Sequence, residues 1–182
     1  MKPRGPLMIE HRLIEKMIGI INNQIKSIEK KHLVDPLLID TITDFIKMYA
    51  DRTHHGKEED ILFEELQHKQ ISETNQKIVN DLIEEHKYAR KLVSELVAAK
   101  QQYVEGNHDA LSVIIERLNS LVSFYPGHIK KQDDVFFPDT EKYFTLDEQN
   151  DMLNKFWEFD RKMIHEKYQN VVEQTKQSLG MK

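Results

Sequence analysis

The chain has 182 residues, about the length of one domain, and contains no cysteine. Disulfides, thiolate metal sites and iron-sulfur clusters are therefore excluded, and any metal must be held by nitrogen and oxygen ligands. The formal net charge is -5, and no basic stripe of the kind that binds a phosphate backbone is present, so we expect no nucleic-acid partner. Without an apolar run of about 20 residues or a secretion signal, we expect a cytoplasmic protein with no membrane partner.

Long amphipathic stretches, bounded by the few prolines and glycines, predict an all-α fold. In chain order, the predicted helices cover about residues 7–32, 36–69, 76–106, 107–138 and 145–177. The second helix begins at Asp35 and Pro36, a capping residue followed by proline at the first helical position. The fifth begins with Thr145 and Glu148, which have the spacing of a capping box.

Short connections make neighbouring helices antiparallel, which predicts an up-down-up-down four-helix bundle with an additional C-terminal helix. We expect residues 1–144 to form the bundle and residues 145–182 to pack on it or extend it.

Polar residues that can bind a metal interrupt the apolar stripes of the first four helices, where a plain bundle would have leucine or isoleucine. They lie early in the odd helices and late in the even ones. At about 1.5 Å per residue, they come together toward one end of the bundle. The candidate ligands are His11, His55, Glu59, His86, His128 and Asp133.

Two His–Glu pairs with a spacing of four compete for the same place on the second helix. His55 and Glu59 share the apolar stripe, whereas His54 and Glu58 are rotated by about 100° at 3.6 residues per turn. We therefore prefer His55 and Glu59.

A single histidine on an apolar stripe is more often a hydrogen-bonded core residue than a ligand. The complete set, with Glu59 and Asp133 lacking an evident buried cationic partner, favours a metal because unpaired buried carboxylates are costly.

Four segments carry a family resemblance: MIEHRLIEKM around His11, HHGKEEDILF from His54 to Phe63, EEHKYAR around His86 and HIKKQDDVFFP from His128 to Pro138. In this order they resemble the hemerythrin-like (HHE cation-binding) domains over about residues 7–144. The resemblance implies a four-helix bundle holding two oxo- or hydroxo-bridged iron ions. It also implies that the four stripe histidines are ligands, and that Glu59 and a carboxylate after His128 bridge the ions.

Two departures from the family pattern affect the ligand set. Oxygen-carrying hemerythrins supply two histidines four residues apart from the third helix, whereas Leu82 and Arg90 flank His86 here. Many relatives have glutamate four residues after the last histidine, where this chain has Gln132, so we choose Asp133 at the next position. Water or Glu85 could occupy the vacant position. Further candidates for that position, or for contact with a ligand, are His54, Glu58, Gln132, His165 and Arg52.

The resemblance favours a non-haem di-iron protein that binds or senses O2 or a related small oxidant at the ion with fewer protein ligands. It favours a metal- and O2-binding protein over a dedicated enzyme. The alternatives are an iron-handling or regulatory module in which the metal mainly orders the bundle, and an oxidase or peroxidase-like activity. Nitrogen and carboxylate ligands also allow manganese or zinc in place of iron.

Overall fold

The computed structural model describes residues 2–178, and every regular element within that range is helical. The first helix, α1, spans Arg4–Lys31, and α2 covers residues 36–67. The third, α3, spans Glu73–Val104, α4 covers residues 110–141, and α5 spans Leu146–Ser178. The predicted all-α class is therefore confirmed. The predicted C-terminal segment 145–182 runs beyond the described residues at 179–182.

The first four helices close into a ring, because α1 and α3 each pack against both α2 and α4. The connections between them are short, as a bundle of antiparallel neighbours requires. No helix of residues 2–178 combines the length and apolar character needed to cross a membrane.

Local signals in the sequence fix the helix ends. The Asp35 carboxylate accepts a hydrogen bond of 3.0 Å from the Leu37 amide at the start of α2, with Pro36 at the first helical position. Thr145 and Glu148 form the predicted capping box at the start of α5: each side chain accepts a hydrogen bond from the other residue's amide.

Helix α2 is not a uniform α-helix. Its α-helical start, Pro36–Phe45, leads into π-helical Ile46–His55, and a second π-helical stretch, Glu58–Phe63, precedes α-helical Glu64–Gln67. A π-helix closes i to i+5 hydrogen bonds, so each turn holds more residues than an α-turn and each residue turns the chain by less than about 100°.

Helix α4 changes in the same way after an α-helical stretch, Ala110–Lys131, that runs through Pro126 and Gly127. Its π-helical part is Gln132–Phe136, followed by α-helical Phe137–Glu141.

The interior of the bundle contains two apolar clusters. One includes Ile14, Ala50 and Leu92, and the other includes Leu7 and Leu62. On every one of the first four helices, a polar buried stretch separates residues of the first cluster from residues of the second. The structure therefore has a polar layer between two hydrophobic layers.

Helix α5 lies against α2 and contributes to the second apolar cluster through the buried side chains of Met152 and Phe156. It covers the π-helical part of α2, the stretch of that helix that enters the polar layer.

Candidate metal centre

Five histidines from all four bundle helices meet in the polar layer, and each is at most 3% exposed. Together with Glu58 they form two groups in which one ligand atom from each residue lies within 4.8 Å of the others. The first group is His55, Glu58, His86 and His128, and the second is His11, His54 and Glu58. Glu58 therefore belongs to both.

Each of the five imidazoles has a carboxylate beside Nδ1. The pairs, with their Nδ1 to oxygen distances, are His11 and Asp133 at 2.7 Å, His54 and Glu10 at 2.8 Å, His55 and Asp51 at 3.3 Å, His86 and Glu59 at 2.6 Å, and His128 and Glu85 at 2.8 Å. An ionised carboxylate only accepts hydrogen bonds, so Nδ1 donates in every pair. In a neutral ring the lone pair then resides on Nε2.

The surroundings of the Nε2 atoms show whether these residues could bind a metal ion. All five are buried and none makes a well-aligned hydrogen bond; the same holds for Oε2 of Glu58, although it lies 3.3 Å from Nε2 of His86. Buried polar atoms are normally satisfied, and a set of unpartnered acceptors in one place needs an explanation. A cation bound by the Nε2 atoms and by Oε2 of Glu58 would provide this explanation. A carboxylate at Nδ1 is also the usual partner of a metal-binding histidine.

A cation lies on the outer side of each of these carboxylates. Arg12 pairs with Asp133, Lys57 with Glu10, Arg90 with both Asp51 and Glu59, and Lys131 with Glu85. The carboxylates are therefore held by positive charge from outside while they accept hydrogen bonds from inside. This arrangement fixes the orientation of every ring toward the interior.

Glu58 is the only carboxylate that belongs to either group, and its side chain is fully buried. Burial alone would raise its pKa, but the charges of His54 and His86 and a contact with His86 lower the pKa to about 2. Its Oε2 lies 3.3 Å from Nε2 of His86. The carboxylate is therefore ionised and ready to bind a cation.

The histidines of the first group differ in their affinity for a proton. Burial lowers the pKa of His86, but contacts with Glu58 and Glu59 outweigh it and raise the pKa to about 9. Burial and the neighbouring imidazoles hold the pKa of His55 well below 6.5, and burial lowers the pKa of His128. With pKa values below 6.5, His55 and His128 are neutral bases near pH 7.

Glu59, expected as a bridging ligand, lies outside both groups. Its side chain is 26% exposed and receives hydrogen bonds from His86 and Arg90. The expectation assumed 3.6 residues per turn. Because α2 is π-helical on both sides of Gly56, the smaller turn per residue brings Glu58 to the inner face instead.

The same winding brings a further histidine, His54, into the polar layer. His54 and His55, adjacent in sequence, both point into the polar layer, with ring centroids 5.8 Å apart. His54 enters the group of His11, and His55 stacks on His86 at a centroid distance of 3.8 Å. Leu82 has no ligand role and is a buried residue of the second apolar cluster.

Asp133, expected as the second bridge, also lies outside both groups. It accepts a hydrogen bond from His11 and pairs with Arg12, whereas Gln132 turns into the polar layer. Gln132 is fully buried and donates from Nε2 to Oε1 of Glu58 at 2.8 Å, while its Oε1 has no partner. The π-helical stretch of α4 begins at Gln132, at the position where Gln132 and not Asp133 enters the polar layer.

Two further candidates lie away from the centre. His165 is exposed on α5 and belongs to neither group. The side chain of Arg52 is 49% exposed and pairs with Glu166 of α5 at 3.2 Å.

The residues that complete the site but were not anticipated are Glu10, Asp51 and Glu85 in the role of hydrogen-bond acceptors. For Asp51 the signal was available, since it precedes His55 by four residues on the same helix. Glu10 and Glu85 reach histidines on other helices and have no such local signal.

Comparison with known proteins agrees with this geometry. No match was found among curated proteins, and none among solved structures. A family model described as the hemerythrin HHE cation binding domain matches residues 6–138 and residues 77–177, which together span most of the chain. The chain therefore belongs to the hemerythrin HHE cation-binding domain family.

Proposed function

We propose that the protein binds two iron ions in the polar layer and uses them to bind O2 or a related small oxidant. One observation carries the proposal: two groups of buried histidines, whose Nε2 atoms make no well-aligned hydrogen bond, share a single carboxylate, that of Glu58. A carboxylate with one oxygen for each of two neighbouring ions is a suitable bridge.

The two groups differ in the number of histidines, and this difference indicates where a small molecule would bind. His55, His86 and His128 would hold one ion together with Glu58, whereas only His11 and His54 accompany Glu58 in the other group. Two histidines and one carboxylate are the ligand set of many non-haem iron sites with open positions. Iron bound there would supply redox chemistry and exchangeable coordination positions to a small molecule.

The protein side chains would fix the donors and exclude bulk water. Carboxylates at Nδ1 hold each ring in the tautomer that presents Nε2, and the two apolar clusters close the layer on both sides. Arg90 neutralises both Asp51 and Glu59 at the edge of the three-histidine group.

The space near the centre suits a small ligand. A cleft of about 260 Å³ lined by Ile46, Ala89, Val93 and Tyr125 reaches His55. Sites for drug-sized organic ligands are usually larger, roughly 300 to 1,000 Å³. The cleft therefore has room for an oxidant of a few atoms.

The test has two parts. Elemental analysis of protein purified without an affinity tag should find two iron ions per chain, and one ion or none would contradict the di-iron proposal. Stopped-flow mixing of the anaerobic diferrous protein with O2 should give an absorbance change that reverses when O2 is removed. Rapid oxidation that does not reverse would contradict O2 carriage or sensing and favour an oxidase or peroxidase-like role.

A further inference from the structure

Helix α5 touches α2 at the residues between its proposed ligands. A Cβ atom added to Gly56 would lie 2.7 Å from Cζ of Phe159, so the α5 ring rests directly on the backbone of α2. The next residue, Lys57, reaches Asp160 of α5, with Nζ 2.7 Å from Oδ1. These two contacts between the helices therefore fall between His55 and Glu58.

Lys57 is an unusual residue for such a place, because its side chain is completely buried. Its ammonium group contacts two carboxylates, Glu10 of α1 and Asp160 of α5. A buried lysine is tolerated when its charge is paired, and removal of one partner from a buried ion pair is strongly destabilising. Lys57 of α2 therefore connects this helix to α1 and α5 through two ion pairs that share its ammonium group.

Glu10 extends this connection to the metal centre. One of its oxygens contacts Lys57, and the other accepts a hydrogen bond of 2.8 Å from Nδ1 of His54. The result is an unbroken chain of contacts from His54 through Glu10 and Lys57 to Asp160. The side chain of Asp160 is 37% exposed, so this chain runs from the polar layer to the surface.

The other four histidines have carboxylates and cations too, but none of those chains involves α5 among the described side chains. Their outer cations are Arg12, Arg90 and Lys131, which lie on α1, α3 and α4. Among the side chains that the structure describes, His54 is thus the one imidazole of the five that is linked in this way to α5.

We propose that Lys57 and Asp160 are positioning residues that couple the docking of α5 to metal binding at the group of His11, His54 and Glu58. The inference rests on the proposed function, since it requires a metal at that group. Docked α5 holds Lys57 against Glu10, and Glu10 in turn holds the ring of His54 with Nε2 inward. By reciprocity, a metal on His54 favours the docked position of α5.

The chain offers a matched pair of variants. Asp160→Asn and Glu166→Gln each remove one ion pair between α5 and α2, but only Asp160 leads to a histidine. Zn²⁺ serves as the probe because it has no redox chemistry, and its release to excess chelator is followed by absorbance. The release phase that is lost in His11→Ala identifies the two-histidine group.

In Asp160→Asn, release from the two-histidine group should be about tenfold faster, the scale of effect seen when the hydrogen-bond partners of ligands are altered. Release from the three-histidine group should not change. Glu166→Gln should change either phase by no more than about twofold, as expected for an exposed ion pair. Asp160→Glu, which keeps the carboxylate, should restore slow release.

The single tryptophan, Trp157, lies one turn before Asp160 on α5 and is 54% exposed, so its fluorescence reports on this helix. In the wild type its emission should shift as the two-histidine group fills with Zn²⁺, and in Asp160→Asn the shift should shrink. A merely structural role for Asp160 would not make this shift depend on metal.

Equal release rates and equal emission shifts in Asp160→Asn and Glu166→Gln would overturn the coupling while leaving the two-metal function intact. Release from Asp160→Glu as fast as from Asp160→Asn would also overturn it. If the wild type binds fewer than two Zn²⁺ ions, the proposed function fails, and the coupling fails with it.

Discussion

Gln132 donates a hydrogen bond of 2.8 Å from Nε2 to Oε1 of Glu58, and both side chains are fully buried. The amide is therefore a neutral neighbour of the one carboxylate that both metal groups share.

Gln132→Glu replaces the donor with a second carboxylate. Without metal, repulsion between two buried carboxylates should lower the free energy of unfolding by about 2 kcal/mol. With Zn²⁺, the new carboxylate becomes an additional ligand, so the rise in Tm on metal addition should exceed that of the wild type. Thermal unfolding with and without Zn²⁺ measures both effects.

Asn75→Asp, at another buried amide that belongs to neither metal group, is the control and should leave the Zn²⁺-dependent rise in Tm unchanged. An equal rise in Gln132→Glu and the wild type would show that Gln132 does not face the metal.

Glu58→Gln and Glu59→Gln should separate the shared carboxylate from its neighbour in sequence. Glu58→Gln should lose bound metal from both groups, because both contain this residue. Glu59→Gln should keep two ions per chain with about tenfold weaker binding, since Glu59 belongs to neither group and accepts hydrogen bonds from His86 and Arg90. Metal content after gel filtration distinguishes the two variants. Full metal content in Glu58→Gln together with loss in Glu59→Gln would reverse our assignment.

The stability of the metal-free protein should fall as the pH rises from 6.5 to 9. The pKa of His86 is raised from 6.5 to about 9, so its protonated ring stabilises the folded state below pH 6.5, and that contribution is lost as pH passes through 9. Glu58 does not titrate in this range, because its pKa is lowered from 4.5 to about 2, and its contribution is lost only in acid. The pKa values of His55 and His128 are lowered, so their contributions are lost below pH 6.5 and stay constant above it.

Urea unfolding of the metal-free protein at several pH values measures this slope. The Zn²⁺-loaded protein should not show this fall in stability, since Nε2 of a ligated His86 carries no proton. The variant His86→Gln should also lack it. A metal-free wild type whose stability is flat from pH 6.5 to 9 would contradict the charged state we assign to His86.

Gly56→Ala should destabilise the protein even though alanine favours helices. The new Cβ would lie 2.7 Å from the ring of Phe159, so either α5 or the π-helical winding of α2 must move. Gly19→Ala is the matched control, because nothing lies within 4 Å of its Cβ position on α1, and it should stabilise the protein by about 0.5 to 1 kcal/mol. Chemical denaturation of both variants checks the opposite signs. A stabilised Gly56→Ala would show that Phe159 does not rest on α2.

The sequence was sufficient for the helices and for the level of the site along them. Proline, glycine and capping residues mark the helix ends, and the breaks in the apolar stripes at His11, His86 and His128 coincide with the polar layer. These signals are local or follow from simple periodicity, so they can be read without a structure.

The choice between Glu58 and Glu59 could not be made in this way. It depends on how tightly α2 is wound, and the change to a π-helix has no marker in residue type at Ile46 or Glu58. The contact between Asp160 of α5 and Lys57 of α2 could not be predicted either, because these residues are 103 positions apart in the sequence.

The wide winding of α2 places half of the donor residues, His54, His55 and Glu58, on five consecutive positions of one helix. The arrangement of the donor atoms therefore depends on the backbone conformation of α2 as much as on the identity of the side chains. A designed protein that copies this site would need the π-helical stretch as well, since on a regular α-helix the same residues would point in different directions.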